Sequence, residues 1–279
     1  MQNNTWQTTR FRIDLSRPKV MGIVNITPDS FSDGGRHATT SAAVAHCEQL
    51  LKDGADLLDL GGESSRPGAD PLPLEEEQAR VLPVLREALK LGVPVSVDTY
   101  KPETMRAALD LGADIVNDIY ALRWPGAVDA VAAHPSCGVC LMHMQGDPVS
   151  MQQHPIYGDV LDEVSRFLND RAQQLEQAGV QHDRITLDPG IGFGKTVAHN
   201  IALLARQREL LGLGYPLLIG WSRKSSLGAL TGRPVEQRQA ASIAAALAAA
   251  QLGAKVLRVH DVAGTVDALK VGEAAGLLP

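Results

Sequence analysis

The chain has few cysteines, three in 279 residues. Three cannot build a disulfide framework and point to a cytoplasmic setting. It also lacks a basic excess. Lys plus Arg total 26 against 32 Asp plus Glu, a net charge of −6. That excludes the broad basic field of a general nucleic-acid binder, though not a small basic pocket in an acidic shell. Long apolar runs are absent too. The nearest, residues 240–250, is Ala-rich, contains Ser242 and is bounded by Gln239 and Gln251. It falls short of the ~18–20 residues of a membrane helix and reads as a buried helix. The first seven residues show no cationic start and apolar core, so no secretory signal is expected there. Hydrophobic residues at 44% and charged residues at 21% are ordinary for a globular chain and argue against disorder and coiled coil.

What is present is a recurring unit. A helix-like stretch ends in Gly, a short apolar run follows, and a polar residue or Gly closes it. The runs end at Gly61, Asp98, Asn117, Asp188, Gly220 and His260. Gly suits the left-handed residue just past a helix C-terminus. Short runs of Val, Ile and Leu suit strands buried on both faces of a parallel sheet. Residues 20–25 and 139–142 bring the strand count to eight. The clearest helical stretches are 41–51, 74–89, 102–111 and 160–178. Eight strand–helix repeats over about 260 residues predict an α/β fold, a single (β/α)8 TIM barrel, with a doubly wound open sheet as the other arrangement. Residues 11–15 alternate at period two and predict a short N-terminal β-hairpin across the barrel floor. No linker or low-complexity segment appears, so one domain spans 1–279.

In such a barrel, reacting groups stand at the C-terminal strand ends and in the loops that follow. Those positions hold Asn25, Gly61 leading to Glu63-Ser-Ser-Arg66, Asp98, Asn117, Met142 and His143, Asp188, Gly220 leading to Ser222-Arg-Lys224, and Arg258-Val-His260. A ring of mixed charge suits a ligand with an anionic part and a polar heterocycle. The loop Thr27-Pro-Asp-Ser-Phe-Ser-Asp-Gly-Gly35 reads as a lid with an apolar tip at Phe31, or as an ordinary turn. The second loop, Gly61 to Gly68, sets Arg66 among small residues.

Other signals are weaker. Cys137-Gly-Val-Cys140, with His134 and His143 nearby, has zinc-like spacing, but a strand over 139–142 would point Cys140 and His143 apart, leaving two buried thiols. Asp188-Pro-Gly-Ile-Gly-Phe-Gly-Lys-Thr196 fails the P-loop pattern because Pro189 stands where Gly is required. A glycine loop bringing backbone and Phe193 close to a flat ligand fits better. There is no GxSxG elbow and no HExxH helix. His46, His154, His182 and His199 read as surface residues without partners.

These motifs resemble the bacterial dihydropteroate synthases over nearly the whole chain. The carrying stretches are Met21-Gly-Ile-Val-Asn-Ile-Thr-Pro-Asp-Ser-Phe-Ser-Asp-Gly-Gly35, Gly61-Gly-Glu-Ser-Ser-Arg-Pro-Gly-Ala69, Val97-Asp-Thr-Tyr-Lys101, Asn117-Asp-Ile119, Met142-His-Met-Gln-Gly146, Asp188-Pro-Gly-Ile-Gly-Phe-Gly194, Ser222-Arg-Lys224 and Arg258-Val-His260. Ser65 stands where the family commonly has Thr. The resemblance implies a transferase of folate biosynthesis. It would condense 6-hydroxymethyl-7,8-dihydropterin diphosphate with 4-aminobenzoate, releasing diphosphate and 7,8-dihydropteroate. It further implies a dissociative substitution assisted by Mg2+, with Asn25 as the metal residue. Asp98, Lys224, Arg258 and His260 would be catalytic. Asn117 and Asp188 would grip the pterin edge, Met142 would pack on its face, and Lys224 would reach its carbonyl. Ser65, Arg66, Pro67 and Phe31 would close over an aminobenzoate pocket beside Phe193, Gly220 and Ser222, where sulfonamides would compete. A helix N-cap is the other reading of Asp98. A homodimer is expected, and no nucleic-acid or membrane partner. A corrinoid-linked methyltransferase on the same barrel, or a non-catalytic pterin-binding paralogue, are the competing readings.

Overall fold

A computed structural model describes residues 4–26, 35–64 and 68–278, with the side chains of 35–38 excepted. Ser65, Arg66, Pro67 and Phe31 therefore lie outside the described residues. An antiparallel hairpin comes first, β1 (Thr5–Gln7) with β2 (Arg12–Asp14). Eight parallel strands follow: β3 (Lys19–Asn25), β4 (Leu57–Gly61), β5 (Val95–Asp98), β6 (Ile115–Asp118), β7 (Gly138–Met142), β8 (Ile185–Asp188), β9 (Leu218–Ile219) and β10 (Val256–Val259). Their order is β8-β7-β6-β5-β4-β3-β10-β9. A parallel bridge between Leu187 and Leu217 joins the two ends, so the sheet closes into a barrel. The expected barrel and floor hairpin are both present, and the open sheet is excluded.

The helices are α1 (Gly35–Lys52), α2 (Leu74–Ala88), α3 (Pro102–Leu111), α4 (Ala127–Ala132), α5 (Val160–Gln177), α6 (Val197–Ala205), α7 (Gln207–Leu210), α8 (Ser225–Thr231), α9 (Gln239–Gln251) and α10 (Val262–Ala274). Pro102 opens α3, where its missing N–H costs nothing, and Gly112 closes it at φ 102°. The Ala-rich α9 buries Ser242, Ala245, Ala246, Ala249 and Ala250. Small side chains there let the helix lie close to the sheet. No helix among the described residues is long and apolar enough to cross a membrane.

Strand periodicity divides the interior in two. Val24, Leu58, Leu60, Val97, Val116, Leu141, Leu187 and Val259 face outward into the main apolar core beneath the helices. Met21, Leu57, Ile115, Cys140, Leu218 and Val256 face inward and form a second cluster with Trp6, Ile13 and Leu15 of the hairpin. Trp6 is fully buried and donates its indole N–H to the Arg184 carbonyl at 2.9 Å. The floor is thus sealed by an aromatic plug with its polar atom satisfied. Polar residues then occupy the upper inward positions.

Cys137 and Cys140 are buried thiols. Cys140 lies in the inner cluster, Cys137 Sγ receives an Arg184 N–H at 3.1 Å, and His134 Nδ1 accepts the Cys137 backbone N–H at 2.9 Å. Two of the four histidines read as partnerless do have partners. His182 Nδ1 lies 2.8 Å from Glu176 Oε1 with its ring on Tyr215, and His199 forms a capping box with Thr196 at the start of α6. One partner lies in the last turn of α5 and the other caps α6, contacts that a helix-or-loop reading does not resolve.

Candidate active site at the barrel mouth

Register builds the rim. Asn25 pairs with Gly61, Gly61 with Asp98, and Asp98 with Asn117, so these four positions stand at one level. Asn117 then pairs with Cys140, and Met142 with Asp188, which places Met142 and Asp188 one inward step higher. The rise follows from the stagger that closes a parallel barrel. Arg258 enters from β10, and Ser222, Lys224 and His260 from the loops after β9 and β10.

At the centre Arg258 is clamped by two carboxylates. Its Nε donates to Asp59 Oδ2 at 2.6 Å and its Nη2 to Asp98 Oδ2 at 2.8 Å. Asn117 Nδ2 donates to the same Asp59 oxygen at 3.3 Å. Burial opposes the guanidinium charge, but Asp59 and Asp98 outweigh it and hold its pKa up. Burial also pushes the Asp98 carboxyl well above the usual range. Arg258 opposes that shift, while Asp59, Asp118 and Glu77 add to it. Asp98 is not a helix cap: α3 begins at Pro102, and Lys101 is its N-cap residue.

Asp188 is buried, and its Oδ1 accepts the Gly190 N–H at 2.7 Å. Burial raises its pKa against the pull of that N–H and of Lys224. Lys224 precedes α8, and its ammonium lies 4.1 Å from the Phe193 ring centroid, a cation–π distance. Burial, with Arg258 nearby, brings Lys224 down to about 8 against Asp188 and Asp98. Ser222 Oγ lies 2.9 Å from His260 Nδ1 and accepts the His260 backbone N–H at 3.1 Å, tying two rim loops together. Met142 and Phe193 join Tyr100, Ile119, Met144 and Met151 in a small apolar cluster on one side of the mouth. A pocket beside Asp98 is lined by Glu63, Ser64, Thr99, Tyr100, Ile119 and Pro148.

Two residues that the sequence reading passed over belong to this framework. Asp59 is fully buried at the centre of the clamp. It has the inward parity of Gly61, so counting back two residues from the strand end would have found it. Glu77 of α2 is fully buried, accepting Thr99 Oγ1 at 2.8 Å and Thr104 Oγ1 at 2.7 Å, with Lys101 Nζ at 3.4 Å. It fixes the turn that follows Asp98. Helical spacing sets it apart from Glu75 and Glu76, since Glu77 lies four, seven and eight residues before Val81, Val84 and Leu85 on the buried face of α2. His143 follows Met142 but turns to Lys195, whose Nζ lies 2.8 Å from its Nδ1. Asn25 is half-buried beside Gly61, and Gly220 follows β9 next to Arg258.

The family described as pterin binding enzyme matches residues 21–260. The dihydropteroate synthase of Neisseria meningitidis serogroup C is 55% identical over 281 residues, covering 99% of both chains. The solved structure of Xanthomonas albilineans dihydropteroate synthase with 4-aminobenzoic acid is 55% identical, covers 96% of each chain and superposes with a TM-score of 0.90. Burkholderia cenocepacia dihydropteroate synthase complexed with 7,8-dihydropteroate is 49% identical, covers 99% of this chain and 98% of its own, and gives a TM-score of 0.89. With a clamped arginine, a lysine over an aromatic ring and full-length likeness all on one barrel, the chain belongs to the dihydropteroate synthases, a family of transferases within the pterin-binding enzymes.

Proposed function

We propose that this chain joins 6-hydroxymethyl-7,8-dihydropterin diphosphate to 4-aminobenzoate, releasing diphosphate and 7,8-dihydropteroate. The observation that carries the proposal is the juxtaposition in one mouth of Arg258 between Asp59 and Asp98, the Ser222–His260 pair, and Lys224 over Phe193. Cationic and hydrogen-bonding groups suit the diphosphate, carboxylates suit the N–H groups of a 2-amino-pyrimidinone edge, and the apolar wall suits two flat rings.

The bond between the pterin methylene carbon and the diphosphate oxygen breaks, and the electron pair leaves with the diphosphate. The arylamine lone pair then forms the new C–N bond and the nitrogen sheds a proton. Because the arylamine is a weak nucleophile and the ring nitrogens delocalise a methylene cation, we assign a dissociative path. Arg258 keeps three N–H groups beyond the two given to Asp59 and Asp98. With His260 these would meet the charge building on the leaving group, as preorganised donors do. Asp98 would face the positive charge on the pterin side. Asp188 and Asn117 would hold the ring, Lys224 would reach its carbonyl, and Met142 would lie against its face. Closure of Ser65, Arg66, Pro67 and Phe31 would exclude water from the cation, and sulfonamides would compete there for the aminobenzoate place.

The donor set also fits Mg2+. Asn25 offers one neutral oxygen at the rim, and Mg2+ commonly takes one or two protein oxygens while phosphates and waters supply the rest. When bound, the ion would neutralise diphosphate charge. A coupled assay that detects diphosphate only when both substrates are present tests the proposal. Pterin binding without turnover would indicate the non-catalytic reading instead, and methyl transfer from a reduced folate the methyltransferase reading.

A further inference from the structure

We propose that Lys195 is a positioning residue for the aminobenzoate side of the site, acting by fixing the carbonyl of Phe193. This rests on the function proposed above. Lys195 follows the glycine loop directly and is 2% exposed. Its Nζ lies 2.8 Å from His143 Nδ1, 3.0 Å from the Gly190 carbonyl and 3.0 Å from the Phe193 carbonyl, with the His143 carbonyl at 3.4 Å. An ammonium has three donors and no acceptor. Burial lowers the Lys195 pKa to about 7; as an ammonium, below that pH, its three short contacts use its full donor capacity and His143 presents an unprotonated Nδ1. Burial and the neighbouring Lys195 keep His143 neutral, well below the ordinary histidine range.

The other loop anchors divide the labour. Gly192 N–H donates to Asn200 Oδ1 at 2.9 Å, the Gly192 carbonyl accepts from Gln152 at 2.6 Å, and the Gly194 carbonyl accepts from Tyr157 at 2.7 Å. Lys195 alone among these anchors reaches the Phe193 carbonyl, so the orientation of the Phe193 ring under Lys224 depends on it. Gly190 makes room for the arrangement, since a Cβ there would stand 3.4 Å from Lys195 Nζ and 1.8 Å from the His143 carbonyl oxygen. A buried amine is costly to keep charged, and burial lowers the Lys195 pKa for that reason. Holding the amine against two loop carbonyls and an imidazole gives the Gly190–Phe193 segment a single conformation.

Lys195→Met keeps the apolar stem and removes all three donors. In steady-state assays with both substrates, the KM for 4-aminobenzoate should rise about tenfold, while that for the pterin diphosphate should move less than about twofold. Combined with Phe193→Leu, the two effects on the aminobenzoate KM should be non-additive, because both act through one ring. Equal shifts in both KM values, or additivity in the cycle, would overturn the proposal and leave Lys195 a folding residue. If Lys195→Met cannot be recovered folded, Lys195→Gln, which keeps two N–H donors, is measured the same way, and failure of both to fold also overturns it. A wild-type protein without turnover overturns the functional reading and this proposal with it. An active wild type lacking the selective KM effect overturns this proposal alone.

Discussion

At the scale of single residues, Asp59 and Asp98 hold the same guanidinium but differ in their surroundings. Asp59 is fully buried, whereas the Asp98 side chain is 15% exposed at the rim. Asp98→Ala should therefore lower turnover by roughly 10²-fold, the scale of losing one preorganised electrostatic group, with a melting temperature close to wild type. Asp59→Ala should instead destabilise the fold by roughly 3–5 kcal/mol, because it leaves a largely buried arginine half-paired. Paired kinetic and thermal-unfolding measurements would separate the two. A fully active Asp98→Ala enzyme would remove Asp98 from the chemistry. Lys224 makes a prediction in pH. Its ammonium is held below about 8 and is lost as pH rises through that value, so kcat/KM for the pterin substrate should fall above pH ~8. Lys224→Met should lack that alkaline limb. Stability should run the other way. An unfolded lysine keeps its proton to about 10.4, so between about 8 and 10 the unfolded state binds more protons, and this group's contribution to stability rises with pH. Activity and unfolding profiles that fell together across this window would contradict the assignment.

At the scale of elements, the glycine loop and the hairpin behave differently. Gly190 and Gly194 have φ of +69° and +62°, and added Cβ atoms would stand 1.8 Å from the His143 carbonyl oxygen and 2.4 Å from the Gln145 carbonyl oxygen. Both obstacles are backbone and cannot rotate away. Gly190→Ala should cost at least about 1–3 kcal/mol for the strained conformation and, unlike loss of Lys195, should raise both KM values, because it also displaces the N–H that Asp188 accepts. Trp6→Ala at the floor should cost about 3–5 kcal/mol by opening a cavity, yet leave both KM values near wild type, because the layer of Met21, Leu57 and Ile115 lies with it below the rim. Calorimetry and kinetics on the two variants check the contrast. Both elements were legible in part. Alternating Gly190, Gly192 and Gly194 predicted a loop close to a flat ligand, whereas the structure packs Gly190 and Gly194 on backbone carbonyls; the period-two stretch 11–15 announced the hairpin. What the glycines approach, the carbonyls of the loop after β7, is a long-range fact that loop spacing does not contain.

At the scale of the whole molecule, the barrel converts strand parity into a site. Inward-facing side chains are apolar at the floor and polar at the mouth, and this gradient makes the C-terminal end the reactive one. Stripping divalent ions with chelator should weaken binding of the diphosphate substrate in a calorimetric titration and leave 4-aminobenzoate largely unaffected, because only the former carries the charge that Mg2+ neutralises. Unchanged diphosphate-substrate binding would remove the metal.

The sequence by itself determined the eightfold alternation, the helix ends marked by glycine, the strand ends carrying Asn25, Asp98, Asn117, Asp188 and Arg258, and the motifs of the family. Those signals are local: periodicities and turn residues that a short window of chain contains. Only the tertiary structure decided that Asp59 and Asp98 share Arg258, that Glu77 braces the turn after Asp98, and that Lys195 rather than the mouth engages His143. These contacts join residues 22 to 199 positions apart. They exist because closing the sheet brings distant strand ends within hydrogen-bonding reach, and buried polar groups must find partners wherever the closed barrel puts them.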